Sequence, residues 1–212
     1  MRFETILIGL MVLLLTGCES GYKKIDGKWA FVTNNAAGYQ VHEMDVDEDT
    51  FRVLKSRDYA VDKNHVYHGI SVLEGFDPGS YVQFEGTEYA KDKNNAYFGD
   101  SIIVDADSET FEVLGYPYAC DSKHIFIGCL RMNVEEPSNF RVIEDKSTVR
   151  SVCYLRSKAD VVRMFGEEFQ DVNVLYDEQK RDERYAVLVP NRGQATDGKW
   201  TYLGPRRSAK IK

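Results

Sequence analysis

No stretch of this 212-residue chain is long and apolar enough to cross a bilayer, which takes about 20 such residues. The longest uncharged, mostly apolar run, Ile6 to Leu15, stops at half that length. Cysteine is scarce, with Cys18 near the start and only Cys120, Cys129 and Cys153 after it. Their spacing fits no zinc pattern. No glycine-rich loop is present to cradle a phosphate, and no serine lies in a Gly-x-Ser-x-Gly context. Positive charge is in deficit too, with a net charge of −7. An acidic chain repels phosphate backbones, so nucleic acid is not an expected partner.

The short apolar run fits the hydrophobic region of a secretory signal peptide. It ends in Leu15-Thr16-Gly17-Cys18, which resembles the bacterial lipobox. That resemblance implies a signal peptide over residues 1–17, cleavage before Cys18 and lipidation of its thiol. Two or three acyl chains anchor stably where one does not. The expected product is lipid-anchored to a bacterial membrane without crossing it. Glu19 follows the lipidated residue, where an Asp would mark inner-membrane retention, so the expected site is the outer membrane, facing the periplasm. In that oxidising compartment one disulfide is expected among Cys120, Cys129 and Cys153, with the pairing open.

Cleavage would leave about 195 residues, enough for one core or one repeat array. The chain is 43% hydrophobic, which marks a folding sequence.

Internal repetition is its most informative feature. Asp47-Glu48-Asp49-Thr50-Phe51-Arg52-Val53-Leu54 recurs as Asp77-Pro78-Gly79-Ser80-Tyr81-Val82-Gln83-Phe84. It recurs again as Asp107-Ser108-Glu109-Thr110-Phe111-Glu112-Val113-Leu114 and as Glu136-Pro137-Ser138-Asn139-Phe140-Arg141-Val142-Ile143. The aromatic falls at 51, 81, 111 and 140, each time four residues after an acid. A second block follows: Tyr59 to Gly69, Tyr89 to Gly99, Tyr118 to Gly128, and a degenerate fourth ending Cys153-Tyr154-Leu155-Arg156-Ser157. Each unit reads as strand, tight turn, strand, because Asp and Asn bond their own backbone and Asn tolerates the left-handed region. A two-residue turn at Lys63-Asn64 sets Ala60 opposite Tyr67, and likewise Ala90 opposite Tyr97 and Ala119 opposite Phe126. Gly69, Gly99 and Gly128 then end the second strand at a bend.

Asp62-Lys63-Asn64 with Val66-Tyr67, and Asp92-Lys93-Asn94 with Ala96-Tyr97, resemble the DKNYY family of bacterial lipoproteins. The resemblance covers roughly residues 45–157 and implies export and a repeated β unit. It brings no catalytic residue.

The flanks carry their own signals. Asp26-Gly27-Lys28-Trp29 is echoed by Asp197-Gly198-Lys199-Trp200, and Asp-Gly before alternating aromatics predicts hairpins that cap the array. Ser157-Lys158-Ala159-Asp160 resembles a capping box, opening a helix to Phe169 with Val161, Val162, Phe165 and Phe169 on its apolar side. Asn173–Tyr176 and Tyr185–Val189 read as strands joined by the charged turn 177–184. Arg206, Arg207, Lys210 and Lys212 form a basic tail expected to fray.

The expected fold is mainly β, a meander of four hairpin-like repeats of about 30 residues with a small α+β C-terminal segment. The expected organisation is signal peptide 1–17, tether and N-terminal hairpin 18–44, repeats 45–157, and C-terminal segment 158–212. His65 and His68 are the only place to look for enzyme or metal chemistry, and strand geometry puts them on opposite faces. Asp45, Asp47 and Asp49, like Asp105, Asp107 and Glu109, open as a calcium loop does but lack its glycine and its bidentate Glu, so they read as turn formers. Chemistry-bearing residues that recur with a repeat are structural residues. No catalytic, cofactor or metal role is therefore assigned. The functional expectation is a non-enzymatic binding module for a protein partner, with a toxin-neutralising immunity protein facing a basic toxin as its specific form. The alternative is an envelope structural protein contacting peptidoglycan or an outer-membrane assembly.

Overall fold

The computed structural model describes residues 20–36, 38–144, 152–155, 157–171 and 187–211. Cys18 and the signal segment lie outside the described residues, as do the strand and charged turn expected over 173–184. An N-terminal sheet runs β1 (Gly21–Ile25), β2 (Lys28–Asn35), β3 (Gly38–Glu43) in that order. The turn between β1 and β2 is Asp26-Gly27, with φ of 50° and 86°, as a tight hairpin turn requires. The hairpin expected here is present, and a third strand extends it.

Three four-stranded meanders follow. Unit 1 is β4 (Arg52–Val53), β5 (Tyr59–Val61), β6 (Val66–His68) and β7 (Ser71–Val72). Unit 2 is β8 (Val82–Gln83), β9 (Tyr89–Lys91), β10 (Ala96–Phe98) and β11 (Ser101–Ile102). Unit 3 is β12 (Glu112–Gly115), β13 (Tyr118–Cys120), β14 (Ile125–Ile127) and β15 (Leu130–Arg131). The central hairpins keep the expected register: Ala60 faces Tyr67, Ala90 faces Tyr97, and Ala119 faces Phe126. A methyl group opposite a ring leaves room for the ring to lie across the strand pair. Gly69, Gly99 and Gly128 sit at φ of 58°, 59° and 57°, in the left-handed region that glycine enters without strain.

Strand alternation explains the stacking. In unit 1, Ala60, Tyr67 and Phe51 face back onto Tyr22 and Phe31 of the N-terminal sheet. Tyr59, Val61 and Val66 face forward onto Tyr81, Ala90 and Tyr97 of unit 2. The central hairpin of each of these three units is thus buried on both faces. That is why β5, β10 and β14 read Tyr-Ala-Val, Ala-Tyr-Phe and Ile-Phe-Ile with no polar side.

The fourth unit departs from the sequence reading. β16 (Arg141–Glu144) does not pair with the Cys153–Ser157 stretch. It pairs with β19 (Gln194–Thr196), followed by β20 (Trp200–Leu203) and β21 (Arg206–Lys210). Asp197-Gly198-Lys199-Trp200, expected only as a cap, is the turn of unit 4, so the array runs on past 157 to Lys210. The physical reason is side-chain content. Asp197 has Tyr202 five residues on, as Asp62 has Tyr67, and the Cys153 stretch offers no such pair. The intervening segment is an insertion within unit 4. It contains β17 (Val152–Leu155) paired with β18 (Val187–Pro190), helix α1 (Lys158–Phe165) and a 3-10 turn at Glu167–Phe169. Ser157 caps α1 by accepting the Asp160 N–H at 3.1 Å, and Val161, Phe165 and Phe169 are buried, as expected. Among the described residues no helix is long and apolar enough to cross a membrane.

Candidate functional site

The recurring carboxylates come first, because they are the most abundant candidates for chemistry. Asp92 in unit 2 is 3% exposed. Its Oδ1 accepts the Asn94 and Asn95 N–H groups at 2.7 and 2.8 Å, closing the turn. Its Oδ2 accepts the Asp77 N–H at 2.8 Å and the Tyr97 hydroxyl at 2.6 Å. Asp62 repeats this with Asn64, His65, Asp47 and Tyr67, and Asp121 with Lys123, His124 and Asp107. Asp197 does so with Lys199, Trp200 and Tyr202. The first block locks onto the second a further way. Thr50 Oγ1 accepts the Lys63 N–H, Ser80 Oγ accepts Lys93, and Thr110 Oγ1 accepts Ser122. Burial alone would raise the carboxyls of Asp62, Asp121 and Asp197, but the donated hydrogen bonds outweigh it and hold all three below the usual carboxylate range. In every unit the first-block aromatic also packs on the ring after the turn: Phe51 on Tyr67, Tyr81 on Tyr97, Phe111 on Phe126 and Phe140 on Tyr202, at 5.7, 6.4, 6.0 and 5.5 Å. Each motif residue is thus committed to fastening one strand pair to the next.

Asp47 and Asp107 are turn formers, as read from sequence. Asp47 Oδ1 accepts the Thr50 N–H and hydroxyl, and Asp107 accepts the Glu109 N–H and the Thr110 hydroxyl. Lys63 and Lys93 close salt bridges to Asp47 and Asp77 at 2.5 and 2.7 Å.

An open groove of about 720 Å³ lies between units 1 and 2. Arg52, Leu54, Lys55 and Ser56 form one wall, and Tyr81 to Glu88 the other. Val82 is 51% exposed on the free edge of β8. Lys55 and Glu85 pair across the groove. The sequence reading missed this site, since its lining comes from both repeats and no single motif contains it.

The two histidines go to different partners. His65 Nδ1 lies 3.4 Å from the Tyr67 hydroxyl. His68 reaches across to unit 2, with Nδ1 2.8 Å from Asp100 Oδ2, and its ring stacks on Tyr59 at 4.2 Å. Tyr59 donates to the other Asp100 oxygen at 3.1 Å. Asp100 was not singled out from sequence. Its signal was a break in the repeat: the residue after Gly69 is Ile70 and after Gly128 is Cys129, while Gly99 is followed by an acid.

The three described cysteines are free thiols, without the expected disulfide. Cys129 is buried, which pushes its thiol up to about 12, and burial and Glu112 push Cys120 up to about 11. The basic tail is not frayed: Arg206–Lys210 is strand β21. Arg207 binds Glu135 at 3.0 Å and lies over the Trp200 ring, while Arg206 donates to the Met164 carbonyl and lies over Phe165. Lys212 is outside the described residues.

No curated protein and no solved structure matches this chain. The DKNYY family model matches twice, over residues 31–161 and 89–207. The two starts differ by 58 residues, close to two repeat periods, so the model fits the same array in two registers. With the family model matching across residues 31–207, the chain belongs to the DKNYY family.

Proposed function

We propose that this chain is a bacterial lipoprotein, lipidated on Cys18 and held at the outer membrane facing the periplasm, whose repeat array is a non-enzymatic binding module for a protein partner. The observation that carries the reading is the division of labour among polar side chains. The recurrent acids, amides and hydroxyls are consumed by turns and strand latches, whereas Arg52, Lys55, Val82 and Glu85 line an open groove at a unit boundary. Stacked repeats present side chains from neighbouring units along one surface, which suits a macromolecular ligand better than a small one. The mixed charge of the groove favours a partner that offers both signs. A basic toxin, neutralised in the periplasm, is the specific form of this reading, with Glu85 and Glu88 of the groove wall as the acids it would meet.

The test uses residues 19–212 without lipid as bait in envelope extracts, with captured proteins identified by mass spectrometry. A stoichiometric protein lost with Val82→Glu plus Lys55→Glu supports the groove. Capture of wall fragments only, or of a protein indifferent to those changes, overturns it. Loss of membrane association in Cys18→Ala tests the anchor, and survival of a deletion strain beside toxin-bearing kin removes the immunity form.

A further inference from the structure

Each unit is fastened to the next by a tyrosine. Tyr22 donates to the Gly69 carbonyl of unit 1 at 2.7 Å. Tyr89 of unit 2 donates to the Pro117 carbonyl of unit 3 at 2.7 Å and accepts the Gly128 N–H. Tyr118 of unit 3 donates to the Gly204 carbonyl of unit 4 at 3.1 Å. These latches end on backbone and do not titrate near neutral pH. The joint between units 1 and 2 is built differently. There Tyr59 donates to the Asp100 carboxylate, and His68 binds the same carboxylate. Phe98 and Ile127 hold the position of His68 in units 2 and 3. Tyr81 stands where the other units have Phe51, Phe111 and Phe140, and its buried hydroxyl has no hydrogen-bond partner among the described residues. The polar substitutions in the stack thus gather at one joint.

We propose that the joint between units 1 and 2 is a pH-responsive clasp, closed by protonated His68 on Asp100. The His68 side chain is 39% exposed and that of Asp100 22%, so the proton can exchange with solvent while the pair stays largely sheltered. The charged and titratable groups facing it are Asp100 and Glu88 from unit 2, Asp58 before β5, and the phenols of Tyr59, Tyr81 and Tyr22. Burial works against the charged imidazole, but the Asp100 hydrogen bond and charge, with Asp58, outweigh it and raise the His68 pKa above its ordinary 6.5. A raised folded-state pKa gives stability that is fully present below the ordinary value and is lost as pH rises through the folded value. The clasp is therefore firm in mildly acidic surroundings and loose in alkaline ones. The groove opens on this same joint, with Arg52–Ser56 on the unit 1 side and Tyr81–Glu88 on the unit 2 side, so loosening changes the separation of its walls. The inference concerns the joint alone and does not depend on what the groove binds.

The test is hydrogen exchange on the full chain between pH 5.5 and 8.5, corrected for intrinsic rates. The reporter is the Gly99 amide, which donates to the Glu88 carbonyl beside the clasp. Its protection is expected to fall with rising pH, by roughly tenfold for each unit of pKa elevation. Protection of the Gly128 amide, bonded to Tyr89 at the next joint, is expected to stay flat. His68→Phe, which installs the side chain unit 2 already uses, is expected to abolish the dependence. A flat Gly99 profile in the unmodified chain overturns the proposal, as does an equal slope at Gly128 or an unchanged slope in the variant. Should the variant fail to fold, NMR titration of the unmodified chain decides: a His68 ring titrating above 6.5 supports the clasp, and one at or below 6.5 refutes it.

Discussion

Replacing Asp92 by Ala removes one acceptor group from four donors at once. Asn94 and Asn95 lie in an exposed turn, where water can take over their N–H groups. The Tyr97 hydroxyl has no such recourse, because Tyr97 is fully buried, and the Asp77 N–H points into the same sheltered spot. Each buried donor left without an acceptor costs about 1–3 kcal/mol. Two of them, with partial hydration, put Asp92→Ala at about 3–5 kcal/mol, a large share of the roughly 5–15 kcal/mol by which a domain is stable. Asp92→Asn keeps one oxygen for the turn amides and can donate its amide to Tyr97, but it faces the Asp77 N–H with a second donor, which sets its cost at about 1–2 kcal/mol. Tyr97→Phe leaves Asp92 with three amide donors, the arrangement unit 3 already has with Phe126 behind Asp121, and is expected to cost about 1 kcal/mol. Urea unfolding of the three variants, followed by circular dichroism, gives the order directly. An Asp92→Ala cost below about 1 kcal/mol, or a Tyr97→Phe cost equal to it, refutes the view that this carboxylate organises the unit.

The remaining expectations are narrower. At Gly99, where φ is 59° and a Cβ would sit 3.5 Å from Leu188, Ala is expected to cost about 1–2 kcal/mol for the left-handed backbone. At Gly128 a Cβ would overlap the Leu188 carbonyl and lie 2.6 Å from Pro190 Cδ, so Ala there should cost about 1–3 kcal/mol more, and equal unfolding midpoints for the two variants would rule this out. Because Asp62, Asp121 and Asp197 titrate below their usual range, the stability they give is present above 3.8 and is lost as pH falls through their folded values. Urea midpoints should therefore drop between pH 5 and pH 3, and a constant midpoint there would contradict the network. Iodoacetamide at pH 8 should leave Cys129 unmodified in the folded chain and modify it in urea, as read by peptide mass mapping; equal labelling in both would show the thiol is not buried.

Much of the array was legible because its information is local. An Asp that turns on its own following amides, a ring five residues later and a small residue opposite that ring all lie within about ten residues, so repetition exposed the turn, the pairing and the register of units 1 to 3. Two things were hidden for one shared reason. The second half of unit 4 is separated from Arg141–Glu144 by the segment carrying β17, α1 and β18, and no local signal says which later strand β16 will accept. The His68–Asp100 pair spans 32 residues and joins two units, so neither motif contains it. Both were nonetheless marked by the pattern itself. Asp197-Gly198-Lys199-Trp200-Thr201-Tyr202 carries the Asp and Tyr at the spacing of Asp62 and Tyr67, and Asp100 stands where its counterparts are Ile70 and Cys129.

The aspartates also bear on how the acidity of the chain should be read. A net charge of −7 suggests an acidic surface, yet Asp62, Asp92 and Asp197 are among its most buried polar side chains. Neutral amides and hydroxyls a few residues away occupy these carboxylates without cancelling their charge, so their oxygens are not among the groups a partner can touch. What a partner meets instead is the mixed rim of Arg52, Lys55, Glu85 and the exposed Val82. Recognition there depends on the arrangement of both signs around an apolar edge more than on net charge. Binding should accordingly depend only weakly on salt, since raising ionic strength screens long-range attraction while leaving short contacts in place. A steep loss of a captured partner's affinity between low and physiological salt would instead favour bulk acidity as the basis of recognition.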